Sequence, residues 1–79
     1  MAVTILFFGQ TAQVVGQRKV EQSVEAGAAI KDVVNSLLSK YPELNGITRL
    51  YALNQKYVPE EETVSDGDEL AIFTPVSGG

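Results

Sequence analysis

The chain has 79 residues, a composition that is 44% hydrophobic and a formal net charge of -4, which predicts one small domain spanning residues 1–79. Cys and His are both absent, which excludes a disulfide framework, a thiol nucleophile, a Ser–His or Cys–His pair and the commonest metal ligands. The negative charge argues against a nucleic-acid partner, because nucleic-acid binding depends on clustered Lys and Arg.

The first part of the chain predicts a β-hairpin with a long connection. Val3 to Phe8 is rich in β-branched and aromatic residues and stops at Gly9, which is typical of a strand. Lys19 to Val24 is predicted to pair back onto it, with Gly9 to Arg18 as the loop between them. No apolar run approaches 18 residues and the first strand lacks the basic flank of a signal peptide, so we expect a cytoplasmic protein without a membrane partner.

One helix is predicted over residues 28–41. Its apolar residues recur at helical spacing, and they are Ile30, Val33, Val34, Leu37, Leu38 and Tyr41. Gly27 is the expected N-cap, Asp32 and Lys40 suit the two ends of the helix dipole, and Pro42 ends the helix.

Three further strands are predicted in the second part of the chain. The acidic run Glu60 to Glu62 is expected to be a solvated surface, and Ser65 to Asp68 forms a turn in which Gly67 takes a positive φ. The strands are Leu50 to Leu53, Tyr57-Val58 after a turn at Asn54 to Lys56, and Glu69 to Thr74.

The order β, β, α, β, β, β predicts an α+β fold in which one helix covers one face of a mixed sheet of about five strands. Alternation along the first and last strands gives the core, which we expect to contain Val3, Ile5, Phe7, Leu70 and Ile72. The opposite face then carries Leu6, Phe8 and Phe73, although a solvated face should be polar. These residues are either buried under the Gly9–Arg18 loop or form a docking patch for a partner protein, and their position near the C-terminal tail favours docking.

The chain ends in a tail of small residues, Pro75-Val76-Ser77-Gly78-Gly79, which carries an α-carboxylate. Two terminal glycines let that carboxylate enter a narrow active site, and Pro75 favours a tail that projects. Fully extended, the five residues would reach roughly 16 to 18 Å. The carboxylate of Gly79 is therefore the candidate reactive group, and the alternative is a frayed terminus or a scar from expression.

Taken together, these features resemble the family of sulfur-carrier small subunits of molybdopterin synthase. The resemblance covers essentially the whole chain. It is carried by the opening strand Ile5-Leu6-Phe7-Phe8, the Val15-Gly16 loop, Leu53-Asn54, the turn and strand Asp66-Gly67-Asp68-Glu69-Leu70-Ala71, and the Pro75–Gly79 ending.

The resemblance implies a β-grasp, ubiquitin-like fold and a carrier that is no enzyme on its own. In that family a ubiquitin-activating-like adenylyltransferase uses ATP to adenylate the terminal carboxylate, and a sulfur donor then converts it to a thiocarboxylate. The tail enters the large subunit of the synthase and delivers sulfur to precursor Z, in a heterotetramer of two small and two large subunits. On this basis Gly79 bears the sulfur, the carrier itself binds no cofactor or metal, and Leu6, Phe8 and Phe73 form the partner interface.

Two departures from the family pattern are present. Thr74 stands where many relatives have a second proline, and Ala12-Gln13 stand where relatives commonly have an Arg-Glu pair. Three alternatives remain: a thiamine-pathway sulfur carrier, a ubiquitin-like modifier conjugated through Gly79, and a β-grasp interaction module whose Gly-Gly ending is incidental.

Overall fold

A computed structural model of the chain describes residues 1–75. The predictions that concern Val76, Ser77, Gly78 and Gly79 lie outside the described residues. Within residues 1–75 no helix has both the length and the apolar character needed to cross a bilayer. The elements are β1 Ala2–Phe7, α1 Gln10–Val15, β2 Lys19–Ser23, α2 Ile30–Lys40, a 3-10 helix Pro42–Gly46, β3 Leu50–Leu53, β4 Lys56–Tyr57 and β5 Glu69–Phe73.

The five strands form one mixed sheet in the order β2-β1-β5-β3-β4. β1 and β5 are parallel neighbours at the centre, whereas β1–β2, β3–β5 and β3–β4 are antiparallel. The predicted α+β architecture is therefore confirmed. Because β1 and β5 run in the same direction, their C-terminal ends lie side by side. Phe8, which follows β1, and Thr74, which follows β5, therefore lie at the same edge of the sheet.

The core lies between α2 and one face of the sheet. All five predicted core residues are at most 1% exposed, and they are Val3, Ile5, Phe7, Leu70 and Ile72. The apolar stripe of α2 packs against them as predicted, with Ile30, Val33, Val34 and Leu37 buried and Leu38 and Tyr41 half-buried. Burial of this continuous apolar layer is the main force that holds the helix on the sheet.

The predicted loop Gly9–Arg18 contains a short helix, α1, that the sequence analysis missed. α1 buries Thr11 and Val15, which lie four residues apart on one helix face. It ends at Gly16, whose φ of 80° is left-handed and whose N–H donates to the Ala12 carbonyl at 2.9 Å. A helix of six residues is too short to show a clear helical period in its sequence, because only two of its residues, Thr11 and Val15, are buried.

α2 begins later than predicted, and its N-cap is Ala29 instead of Gly27. Ala29 has an extended backbone because it forms a bridge with Thr63, so the helix starts only at Ile30. Asp32 lies in the first turn as predicted, and its carboxylate accepts a hydrogen bond from the Ala29 N–H at 2.9 Å. Gly27 instead sits in the preceding turn with a φ of 84°.

The acidic run Glu60–Glu62 is exposed, as predicted, but its main chain also completes α2. The Ile30 N–H donates to the Glu62 carbonyl and the Lys31 N–H to the Glu60 carbonyl, both at 2.9 Å. The first amides of a helix have no partner within the helix. Here the backbone carbonyls of the acidic segment accept hydrogen bonds from the first two amides of α2.

The β3–β4 hairpin has a two-residue turn in which Asn54 and Gln55 have φ values of 50° and 73°. Two consecutive positive φ angles define a type I′ turn, which fits the twist of a hairpin. β4 begins at Lys56, one residue before the predicted start, because Lys56 pairs directly with Leu53. The predicted turn before β5 is also confirmed, with Gly67 at a φ of 83°.

Candidate functional site

The sheet face opposite α2 is open and largely apolar. One row of paired residues crosses all five strands, in the order Lys19, Leu6, Ala71, Ala52 and Tyr57. A second apolar group lies nearer the C-terminal end of β5 and contains Phe8, Phe73 and Leu50, the last two of which are paired. We call the apolar residues of both groups the apolar face, which consists of Leu6, Ala71, Ala52, Tyr57, Phe8, Phe73 and Leu50.

Much of the apolar face is accessible to a partner. Phe8 is 49% exposed, Leu50 41% and Tyr57 79%, whereas Leu6 and Phe73 are half-buried. These are large side chains, and exposed apolar clusters of this kind commonly mark sites of protein interaction.

The segment Gly9–Arg18 borders the apolar face without covering Phe8. α1 contacts β1, β5 and the 3-10 helix, and it directs Thr11 and Val15 into the protein interior. Leu6 and Phe8 line a shallow groove with Ala12, Gln13, Arg18 and neighbouring residues of this segment. Of the two explanations for the apolar residues, burial under this segment is therefore excluded for Phe8.

A second groove lies between Phe8 and the β3–β4 hairpin. It is lined by Phe8, Gly9, Ala52, Gln55, Tyr57, Ala71, Phe73 and Thr74. The rings of Tyr57 and Phe73 meet edge to face, with centroids 5.6 Å apart and an interplanar angle of 63°. Sequence reasoning placed Tyr57 in a strand but not at the site, because only the β3–β5 pairing brings it to Phe73.

The acidic residues of this sheet face lie away from its apolar end. Glu21 and Glu69 both pair with Thr4, so the two carboxylates flank Thr4 on the same face. Polarity therefore changes along the strands, from acidic at the Thr4 end to apolar where β5 leads into Thr74 and Pro75. A partner with an apolar centre and basic groups toward Glu21 and Glu69 would complement this face.

The base of the tail is held by a buried hydroxyl that the sequence analysis missed. Thr11 is 0% exposed, and its Oγ1 lies 2.7 Å from the Phe8 carbonyl oxygen and 3.1 Å from that of Ile72. The same oxygen accepts a hydrogen bond from the Phe8 N–H at 3.2 Å. A threonine in a short polar segment gives no sequence signal for this role, because its partners come from two distant strands.

A second polar cluster lies at the other side of β3 and is structural. Arg49 donates to the Leu44 carbonyl, to the Ile47 carbonyl at 3.2 Å and, through Nε, to the Tyr51 hydroxyl at 3.1 Å. Tyr51 in turn lies 3.4 Å from the Glu60 carboxylate. Burial raises the pKa of Tyr51 above its ordinary value of 10.0, despite the opposing effect of Arg49. The phenol is thus protonated at neutral pH and unsuited to act as a base.

Three predicted interface residues, Leu6, Phe8 and Phe73, are therefore brought together on one face. Pro75 is exposed at the end of the described chain. The remaining predicted site residues, including Gly79, lie beyond it, so their roles stay predictions.

Comparison with known proteins places this geometry in a recognised group. A family model described as the ThiS family matches residues 5–79. The chain is 34% identical over 83 residues to the molybdopterin synthase sulfur carrier subunit of Chlamydomonas reinhardtii, with 100% of both chains covered. It is 33% identical to small archaeal modifier protein 1 of Haloferax volcanii, covering 91% of this chain and 94% of that protein.

The fold comparison agrees with the sequence comparison. The crystal structure of SAMP1 from Haloferax volcanii matches with a TM-score of 0.88 and 28% identity, covering 100% of both chains. The predicted β-grasp fold, with its five-stranded mixed sheet and main helix, is confirmed.

Proposed function

This chain belongs to the ThiS family, which confirms the resemblance found in its sequence, and we propose that it is the sulfur-carrier subunit of a molybdopterin synthase. The proposal is supported by full-length similarity to a protein of that name. The structural observation that carries it is the apolar face, in which the exposed ring of Phe8 lies beside the point where the chain leaves β5.

The chemistry we propose takes place at the carboxyl group of Gly79. A carboxylate oxygen attacks the α-phosphorus of ATP held by an adenylyltransferase, which forms an acyl-adenylate and releases pyrophosphate. Hydrosulfide, or its equivalent from a sulfur donor, then attacks the acyl carbon and expels AMP, which leaves a thiocarboxylate. Activation divides one difficult substitution into two easier steps. The carrier contributes no catalytic side chain, in keeping with a sequence that has neither His nor Cys.

We further propose that the apolar face binds two partners in turn. The ubiquitin-activating-like adenylyltransferase binds it first, and the large subunit of the synthase binds it afterwards. In the second complex the loaded tail donates sulfur to precursor Z, in an assembly of two small and two large subunits. Reuse of one face is favoured because aromatic anchors such as Phe8, Phe73 and Tyr57 dominate protein interfaces.

The proposal is tested by intact-mass measurement of the full chain. The chain is incubated with ATP, sodium hydrosulfide and the cognate adenylyltransferase, and fragmentation then locates the change. We expect the mass to rise by the difference between a sulfur and an oxygen atom, at Gly79. A chain with one residue appended after Gly79 is the control and should not react. An unchanged wild-type mass with an enzyme that is active on another carrier would refute the proposal.

A modifier role is the second candidate, because of the similarity to small archaeal modifier protein 1. In that role the acyl-adenylate would lead to an isopeptide bond between Gly79 and a lysine of another protein. The two functions differ in the product of the same activated tail. Lysine-linked adducts without transfer of sulfur to precursor Z would favour the modifier.

A further inference from the structure

The hydroxyl of Thr11 joins the ends of the two central strands. It lies within hydrogen-bond distance of the carbonyl oxygens of Phe8, which follows β1, and Ile72, in β5. The Phe8 N–H also donates to the Ile72 carbonyl at 3.0 Å. The buried side chain of Thr11 thus ties the Phe8 backbone to that of Ile72, which is 61 residues from Thr11 in sequence, immediately before the chain leaves the sheet.

Gly9 allows close packing at the point where the chain leaves β5. Its φ of 60° and ψ of -134° form a conformation that residues with a Cβ rarely adopt. A Cβ at this position would also meet the Thr74 Oγ1 at 3.3 Å, a close contact. Gly9 therefore allows Thr74 to pack against the β1–α1 turn, directly after the strand end that Thr11 fixes.

We propose that Thr11 is a positioning residue, whose hydroxyl sets the direction in which the C-terminal segment leaves the sheet at Thr74 and Pro75. This role rests on the proposed function, because it matters only if a partner acts on the tail. The apolar face determines whether the partner binds, whereas the Thr11 contacts determine where the tail points once it is bound. Errors of about 1 Å in the placement of a reacting group can lower rates by up to about 100-fold.

The contacts of Thr11 distinguish this role from ordinary core packing. Thr11→Val keeps the shape of the side chain but removes the hydroxyl, so the Phe8 carbonyl loses its short contact. The apolar contacts of α1 are kept, and the sheet hydrogen bonds away from Phe8 and Ile72 should be unaffected. The expected effect is local loosening between the ends of β1 and β5, which Thr11→Ser should reverse.

The first measurement uses the isolated full chain. Amide hydrogen exchange followed by NMR should show about fivefold faster exchange at Phe8 in Thr11→Val, since the loss of one hydrogen bond costs about 1 kcal/mol. Exchange at Val64, whose N–H donates to the Ala28 carbonyl just before α2, should not change. Equal acceleration at both amides would mean global destabilisation and would overturn the proposal.

The second measurement follows pyrophosphate release with the cognate adenylyltransferase. Thr11→Val should lower kcat about tenfold and change KM by less than about twofold, with recovery in Thr11→Ser. Val64→Ala, at a temperature where both variants are equally folded, is the matched control and should keep the wild-type kcat. An unchanged kcat in Thr11→Val, or a raised KM with kcat intact, would overturn the positioning role of Thr11 and leave the proposed function standing. Absence of pyrophosphate release from the wild-type chain would refute the proposed function itself, and the positioning role with it.

Discussion

Replacement of Phe8 by Ala tests whether the apolar face binds the large subunit. Phe8 is 49% exposed, so a partner has about half of its side-chain surface left to cover. A Phe side chain buries about 150–250 Å², and half of that is roughly 100 Å². At about 25 cal/mol per Å² the lost burial amounts to about 2.5 kcal/mol. Since each 1.4 kcal/mol is a factor of ten, we expect affinity to fall by about 50- to 100-fold.

The measurement is isothermal titration of the full chain into the cognate large subunit. The titration is run at a temperature where Phe8→Ala is folded, because the half of Phe8 that is already buried contributes to stability and its loss should lower the thermal midpoint. Asn35→Ala, on the exposed side of α2, is the control and should bind normally. Binding by folded Phe8→Ala within about twofold of wild type would refute the argument that buried apolar area at this position contributes to docking.

Three further results are expected. Gln55→Gly should raise the free energy of unfolding by about 0.5–1 kcal/mol in a denaturant titration, since a left-handed conformation costs an L-residue about 1–2 kcal/mol and glycine recovers only part of that. Asn54→Gly should lower the free energy of unfolding, because the Asn54 side chain donates to the Asp68 carboxylate and accepts a hydrogen bond from the Glu69 N–H. The reverse order of the two effects would contradict the turn assignment. Burial raises the pKa of Tyr51 in the folded chain, so stability is fully present below pH 10.0 and falls as the pH rises through the folded pKa; this alkaline decline should be smaller in Tyr51→Phe, and an equal decline would contradict it. Deletion of Gly79 should abolish sulfur incorporation while the melting curve stays unchanged, and a large loss of stability would instead make the tail structural.

The strands and α2 were predictable because their signals are local. Alternation along Val3–Phe7 and the helical spacing from Ile30 to Leu37 report directly which side of each element is buried. α1 escaped prediction because its burial is limited to Thr11 and Val15. The start of α2 was misplaced for a different reason, since Ala29 is held extended by Thr63, far along the chain.

The candidate site divides in the same way. Phe8 and Phe73 were predicted to form an interface because each is a large apolar residue on the strand face opposite the core, where polar residues are expected. Tyr57 and Thr11 were not, because their importance depends on strands that meet them only in the folded chain. Residues with ordinary local roles give no warning of contacts that the tertiary fold creates.

The sequence by itself determined the fold class, the core, the family and the candidate reactive carboxylate, because periodicity, turn residues and the Gly-Gly ending are written in neighbouring positions. Only the tertiary structure decided how the apolar residues group and how the tail begins. Parallel pairing of β1 with β5 brings Phe8 beside Ile72, and α1 inserts the Thr11 hydroxyl between their carbonyls. Hydrogen bonds between segments 61 residues apart depend on chain closure, which no local pattern encodes.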